Sequence, residues 1–473
     1  MINFSDFLTM HQEMSLVVVF IVLLVYDIFA SERARQWLFP LACTLLGVHI
    51  ILGFAFPADP NVAYHGLYIN SPVTILIKNI LSIGTLLVFL QSGKWLRGDI
   101  KQGEFYVITL STLLGMFLMV SAGNFMMLYI GIETASLPLA CLAAFDKSKE
   151  KSAEAGAKYI LIAALSSGIM LFGLSFLYGA TGTMYFADMQ SQIVNSPLVI
   201  FGFVFFFVGL AFKISIVPFH MWAADVYEGA PTPVTAYLSV ISKGAAVFAL
   251  LFSLWQAFGN ISVVWHHILW ALAVITIVVG NLFAISQKDI KRFFAFSSIS
   301  QAGFILLGLM AGTAQGMNAT VYYILAYLFS NLAAFGVIAA VEAESGRTDI
   351  AAYNGLYNNN PKLAFVMMLA VFSLAGIPPF VGFFSKFFIF AAAAEQGEYL
   401  LVFIALVNTV ISLYYYLMIV KAMFINPAEE AAVGNFRTDG YNKLSLVLCT
   451  AGILLIGIIS GIYEYIGGIS FGM

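Results

Sequence analysis

Apolar residues in this chain run rather than alternate. Stretches of about 17–25 residues with hardly a charge recur from end to end, the length that carries a helix across a bilayer. Fourteen such spans are expected, at about 14–30, 37–56, 72–90, 105–122, 124–145, 155–179, 197–219, 232–255, 263–284, 293–311, 319–341, 362–392, 400–425 and 444–464. The twelfth is too long for one straight helix and contains Gly376-Ile-Pro-Pro379, so it is expected to be broken. Pro218 likewise interrupts the seventh, because proline has no N–H and cannot continue the ladder. The pattern predicts an all-α polytopic membrane protein with 14 transmembrane helices.

Composition and charge agree. Of 473 residues, 61% are hydrophobic and 10% charged, against about 25% charged in soluble domains. The chain holds 21 Lys and Arg residues, and sixteen fall in the odd-numbered connections, beginning with Arg33 and Arg35. None falls in an even-numbered one. Basic loops stay on the cytoplasmic side, so both termini are expected on the outer (periplasmic) face and the Lys147, Lys149, Lys151 loop inside. Before the first span stand Asp6 and Glu13 but no Lys or Arg, unlike the basic start of a signal peptide. The three cysteines stand alone in apolar segments, so neither a disulfide framework nor a metal site is indicated. No phosphate loop, nucleophile elbow or basic tract points to nucleotide, acyl-enzyme or nucleic-acid chemistry.

The other five basic residues, Lys78, Lys158, Lys213, Lys243 and Lys386, lie inside predicted spans. Ionisable groups there are costly and mark pathways by default. Lys158, near a cytoplasmic end, and Lys78, just after Pro72, read as well as snorkelling side chains. Lys213, Lys243 and Lys386 lie deeper. Glu133 is the one acid clearly in mid-span. The spacing Glu133/Pro138 repeats Lys213/Pro218, which predicts a helix break beside each charge. Pro378 and Pro379 should free the carbonyls of Leu374 and Ala375, with Lys386 two turns further on. Ile216-Val-Pro-Phe219 is echoed by Ile377-Pro-Pro-Phe380 five spans later. An odd offset means two matching five-helix units in opposite orientation, as in many ion transporters. The expected organisation is an N-terminal three-helix segment (1–104), five-helix repeats at 105–256 and 263–425, and a C-terminal helix (426–473).

Several motifs resemble the antiporter-like membrane subunits of respiratory complex I. They are Tyr129-Ile-Gly-Ile-Glu-Thr-Ala-Ser-Leu-Pro138, Ala153-Glu-Ala-Gly-Ala-Lys-Tyr159, Pro218-Phe-His-Met-Trp-Ala-Ala-Asp-Val-Tyr-Glu-Gly-Ala-Pro-Thr-Pro233, Phe296-Ser-Ser-Ile-Ser-Gln-Ala-Gly303 and Ala375-Gly-Ile-Pro-Pro-Phe-Val-Gly-Phe-Phe-Ser-Lys386. Tyr178-Gly-Ala-Thr-Gly-Thr183 and the lysine at 386 are similar to the N-type members from bacteria. The resemblance implies a proton relay of Glu133, Lys213, Lys243 and Lys386 joined by water, with Lys158, His220 and Gln301 as accessories. Gln301 stands where N-type chains often carry His, and Gln bonds water without titrating.

The resemblance also implies no cofactor on this chain. NADH, FMN, iron–sulfur clusters and quinone would belong to other subunits. The partners implied are a neighbouring M-type subunit, small K- and J-type subunits and the lateral helix of the L-type subunit, in a bacterial inner membrane. Alternatives with the same lysines are a subunit of a multisubunit cation/proton antiporter or of a membrane-bound hydrogenase, and a silent assembly scaffold.

Overall fold

In hydrocarbon every backbone N–H and C=O must find a partner inside its own segment, and a helix does this. The computed structural model describes residues 4–56, 61–427 and 433–469. Both termini, placed outside by the charge pattern, lie beyond the described residues. Among the described residues, thirteen helices are long and apolar enough to cross a membrane. They follow the expected spans closely, from His11–Phe29 to Gly440–Ile458. The remaining expected span, 362–392, is two helices, Pro361–Ala375 and Val381–Glu395. Two helices overrun their spans. Glu150–Thr181 and Ala314–Ser345 have 32 residues each, about 48 Å at 1.5 Å per residue, so they project beyond a hydrocarbon layer of about 30 Å. A two-stranded antiparallel ribbon, Asn61–Ala63 with Tyr68–Asn70, departs from the all-α expectation.

Three helices are sheathed almost wholly by protein: Thr232–Gln256, Ile290–Met310 and Ala314–Ser345. Around them the outer helices turn large apolar side chains outward, such as Ile28, Leu161, Val263 and Val410. That division sets where charge can be kept. Lys243 lies on the first of the three central helices, and Gln301 on the second.

The seventh and twelfth spans end on the same local geometry. The first helix stops at Ile214, where Ser215 takes a left-handed conformation (φ 65°) and Ile216 N–H bonds back to the Ala211 carbonyl at 2.9 Å. The second stops at Ala375, where Gly376 (φ 89°) does the same and Ile377 N–H reaches the Phe372 carbonyl at 3.0 Å. This is the left-handed cap that closes many helices. It acts before the prolines do: each helix has ended two or more residues ahead of Pro218 or Pro378. The chain turns helical again at Met221 and at Val381.

Pro138 differs from expectation. The Phe125–Ala143 helix runs through it without interruption. A lone proline removes one ladder bond and kinks a membrane helix; here no left-handed cap accompanies it, so the chain has no stop signal to end on.

Candidate functional site

Lys213 occupies the last turn of its helix, 4% exposed. Its ammonium donates to the Tyr159 hydroxyl at 2.8 Å and stands 5.4 Å from that ring. Tyr159 comes from the long Glu150–Thr181 helix, which packs along Pro197–Ile214. Trp222 sits edge-on to Tyr159 and to Tyr227, and its indole N–H donates to the Phe212 carbonyl at 3.0 Å. The short helix Met221–Gly229 therefore closes over the lysine held at the end of Pro197–Ile214.

Lys243 begins a helical turn just after a π-helical segment, Leu238–Ser242. Such wider turns are frequent at functional sites. Its ammonium donates to the Ser298 hydroxyl at 2.9 Å and the Ser298 carbonyl at 3.2 Å.

Lys386 donates to the carbonyls of Leu374 and Ala375 at 2.9 and 3.0 Å and lies 5.0 Å from the Phe304 ring. Gln301 donates to the same Leu374 carbonyl at 3.3 Å and to the Tyr416 hydroxyl at 3.2 Å, and accepts from Tyr323. Tyr416 also pairs with Ser297, the neighbour of Lys243's partner Ser298. A small cavity between Gln301, Tyr327, Ser330, Ser373, Ser385 and Lys386 leaves room for a water-sized sphere's centre in about 10 Å³, roughly one water.

Glu133 is half-buried, and its Oε1 has no hydrogen-bond partner. Its helix crosses Gln102–Val120 closely enough that a Cβ on Gly131 would lie 2.6 Å from the Met119 nitrogen. Among the described residues, no carboxylate lies within 4.0 Å of the ammonium of Lys213, Lys243 or Lys386. Glu133 and Lys213, two members of the expected relay, are thus not in ion-pair contact here. His220 is buried with its Nδ1 unpartnered.

Lys158 is not part of this interior. It is 39% exposed and pairs with Glu154 and Asp225, each at 2.6 Å. Asp225 and Glu228 in turn hold Arg292 at 2.7 and 3.0 Å. Lys78, expected to snorkel, is fully enclosed and paired with Glu13 at 2.6 Å. Sequence reasoning missed Tyr159, Ser298, Tyr323 and Tyr416. The signal that could have found them is a hydroxyl in an otherwise apolar span, which only a partner makes affordable.

The model of the NADH:quinone oxidoreductase/Mrp antiporter transmembrane family matches residues 122–412. The chain is 61% identical, over all of its length and 99% of the relative's, to NADH-quinone oxidoreductase subunit N of Azobacteroides pseudotrichonymphae genomovar. CFP2. It belongs to this antiporter-like family, in the N-type branch. Respiratory complex I from Thermus thermophilus with bound aureothin contains a chain that matches with TM-score 0.81 at 30% identity, covering 95% of this chain and 97% of that one. A chain of the Mrp complex from Dietzia sp. DQ12-45-1b shares the fold with TM-score 0.88, covering 98% of this chain and 96% of that one, at 22% identity. Of the four residues proposed for the relay, all lie inside the segment that the family model matches.

Proposed function

We propose that this N-type chain moves protons through Glu133, Lys213, Lys243 and Lys386 as the membrane-arm subunit of an NADH:quinone oxidoreductase. The observation that carries the reading is the company the three deep lysines keep. Each ammonium rests on neutral oxygens, a tyrosine, a serine or two helix-end carbonyls. Such a lysine can give up its proton without stranding a paired carboxylate, and lysine, unlike arginine, releases its proton when its surroundings demand it. Glu133, half-buried with its Oε1 unpartnered, supplies the acid of the relay. The tyrosine, serine and Gln301 contacts between Lys243 and Lys386 supply hydroxyls and an amide along which water can carry that proton.

Further parts of the reading rest on the same family. Fourteen passes follow if Pro361–Ala375 and Val381–Glu395 make one broken crossing. Matching left-handed caps at Ser215 and Gly376 support two inverted five-helix repeats, 105–256 and 263–425, between the 1–104 segment and the 426–473 helix. NADH, FMN, iron–sulfur clusters and quinone belong to other subunits, to which this chain is coupled through conformation. Its neighbours are the M-type, K-type and J-type subunits and the L-type lateral helix, in a bacterial inner membrane with both termini outside.

The test is NADH-driven quinone reduction and proton uptake by the reconstituted complex carrying Glu133→Gln, Lys213→Met or Lys243→Met. Loss of pumping in assembled complexes is expected. Full pumping by all three would leave the chain a scaffold.

A further inference from the structure

The proposed relay leaves one buried acid–base cluster unused. Glu13, Lys78 and Tyr68 form a closed triangle: Lys78 Nζ lies 2.6 Å from Glu13 Oε1 and 2.8 Å from the Tyr68 hydroxyl, which donates to Glu13 Oε2 at 2.7 Å. Three separate elements supply it: the His11–Phe29 helix, the short ribbon and the Pro72–Ser92 helix. None of the three side chains is more than 3% exposed. Burying an ion pair is expensive and is not by itself a stabilising device, so its presence asks for a reason.

The surroundings are polar on both sides of the pair. Outward, half-buried His11 stands two residues before Glu13, with Nε2 unpartnered. Inward, the Pro72–Ser92 helix carries Thr74, Lys78, Ser82 and Thr85, all buried, at helical spacing on one face. Ser82 meets His49 Nε2 at 3.4 Å, and His49 Nδ1 meets Ser15 at 2.7 Å. This helix packs on Thr232–Tyr237, where the Tyr237 hydroxyl meets Thr112 at 2.7 Å. Tyr237 lies six residues before Lys243 in the same crossing. The Gln12 Oε1 and Asn79 Nδ2 atoms beside the pair are buried without a partner, a pattern that a bridging water satisfies.

We propose that Glu13 and Lys78 form a second proton-exchange pair, linking the N-terminal end of the molecule to the lysine row along the polar face of the Pro72–Ser92 helix. It rests on the proton-translocating reading above. The step is an internal transfer. One N–H bond of the Lys78 ammonium breaks and its electron pair stays on nitrogen, while the proton bonds to a Glu13 oxygen. A charged pair becomes a neutral amine beside a neutral acid, with no net charge moved into the interior. Glu13 then releases its proton past His11, and Lys78 takes one from the Ser82 side. The reverse sequence carries a proton inward.

A structural tether and an exchange pair predict different results. Lys78→Met alone strands the carboxylate and is expected to block assembly under either role. The Glu13→Gln/Lys78→Met double variant removes both charges together and is expected to assemble and reduce quinone. In proteoliposomes, the exchange pair predicts a loss of protons moved per quinone reduced; an unchanged ratio would overturn it. If the double variant does not assemble, Lys78→Arg decides, since it keeps the charge paired with Glu13 but cannot release its proton. A lowered ratio supports the pair and an unchanged one overturns it. Protons moved per quinone by the Lys213→Met complex, measured alongside, test the parent reading separately.

Discussion

Lys386 and Leu374, twelve residues apart, meet at 2.9 Å across the gap between two half-helices. The carbonyl of Leu374 also accepts from Gln301. One backbone oxygen, released because its helix ends, thus joins the terminal lysine to the next polar group of the row. Lys386→Met should strand the Ala375 carbonyl, at about 1–3 kcal/mol, leave the Leu374 carbonyl to Gln301 alone, and abolish pumping while the complex stays assembled. Lys386→Arg keeps the charge and the donors but cannot deprotonate, so pumping should be lost there too. Equal pumping by the Arg variant and the unsubstituted complex, measured in proteoliposomes, would show that Lys386 is only an anchor.

Tyr159 holds Lys213 by one hydrogen bond. Tyr159→Phe removes it and keeps the ring packed against Trp222. Hydrogen bonds to a charged group contribute about 1.5–3 kcal/mol, so roughly a tenfold or larger drop in proton transfer rate is expected, each factor of ten being about 1.4 kcal/mol. Single-turnover pumping kinetics measure it, and purification yield should be unchanged.

Gln301 is the branch point between Tyr323, Tyr416 and Leu374. Gln301→Leu keeps the volume but leaves those groups without a shared partner, and should slow pumping. Gln301→His gives the position a group that titrates near neutral pH. Pumping by that variant should therefore change between about pH 6 and 7, where the unsubstituted chain has no such step at this position. A pH series on both proteins makes the comparison.

Gly131 lets the Glu133 helix approach its neighbour. A Cβ there would meet the Met119 nitrogen at 2.6 Å and its Cα at 2.9 Å. Gly131→Ala should cost about 1–3 kcal/mol through overpacking and shift Glu133 with its helix. A lowered thermal midpoint of the isolated complex, together with weaker pumping, is the expected pair of results.

Lys149 tests the topology proposed from the basic loops. It is 64% exposed on its side chain, in the connection before Glu150. A Lys149→Cys variant should react with a membrane-impermeant thiol reagent only after the cells are permeabilised. Reaction in intact cells would invert the assignment.

Some of this was legible in the chain alone. The apolar runs located the helices, because a membrane solvent leaves the backbone few choices. Deep charges stood out for the same reason, as each is rare against an apolar background. Local backbone chemistry marked Gly376 and the prolines, and so the freed carbonyls that Lys386 reaches. The remainder needed tertiary structure. Ser215 carries no glycine signal, yet ends its helix in the conformation that Gly376 adopts, and Pro138 ends nothing. Glu13 read only as an acid before the first span, and Lys78 as a snorkel; packing three distant segments together made them a buried pair. Hydrogen-bond partners across 54 to 119 residues, such as Lys213 with Tyr159 and Ser297 with Tyr416, depend on how helices are rotated about their axes. A run of uniformly apolar residues says little about that rotation, because its hydrophobic pattern has no preferred face.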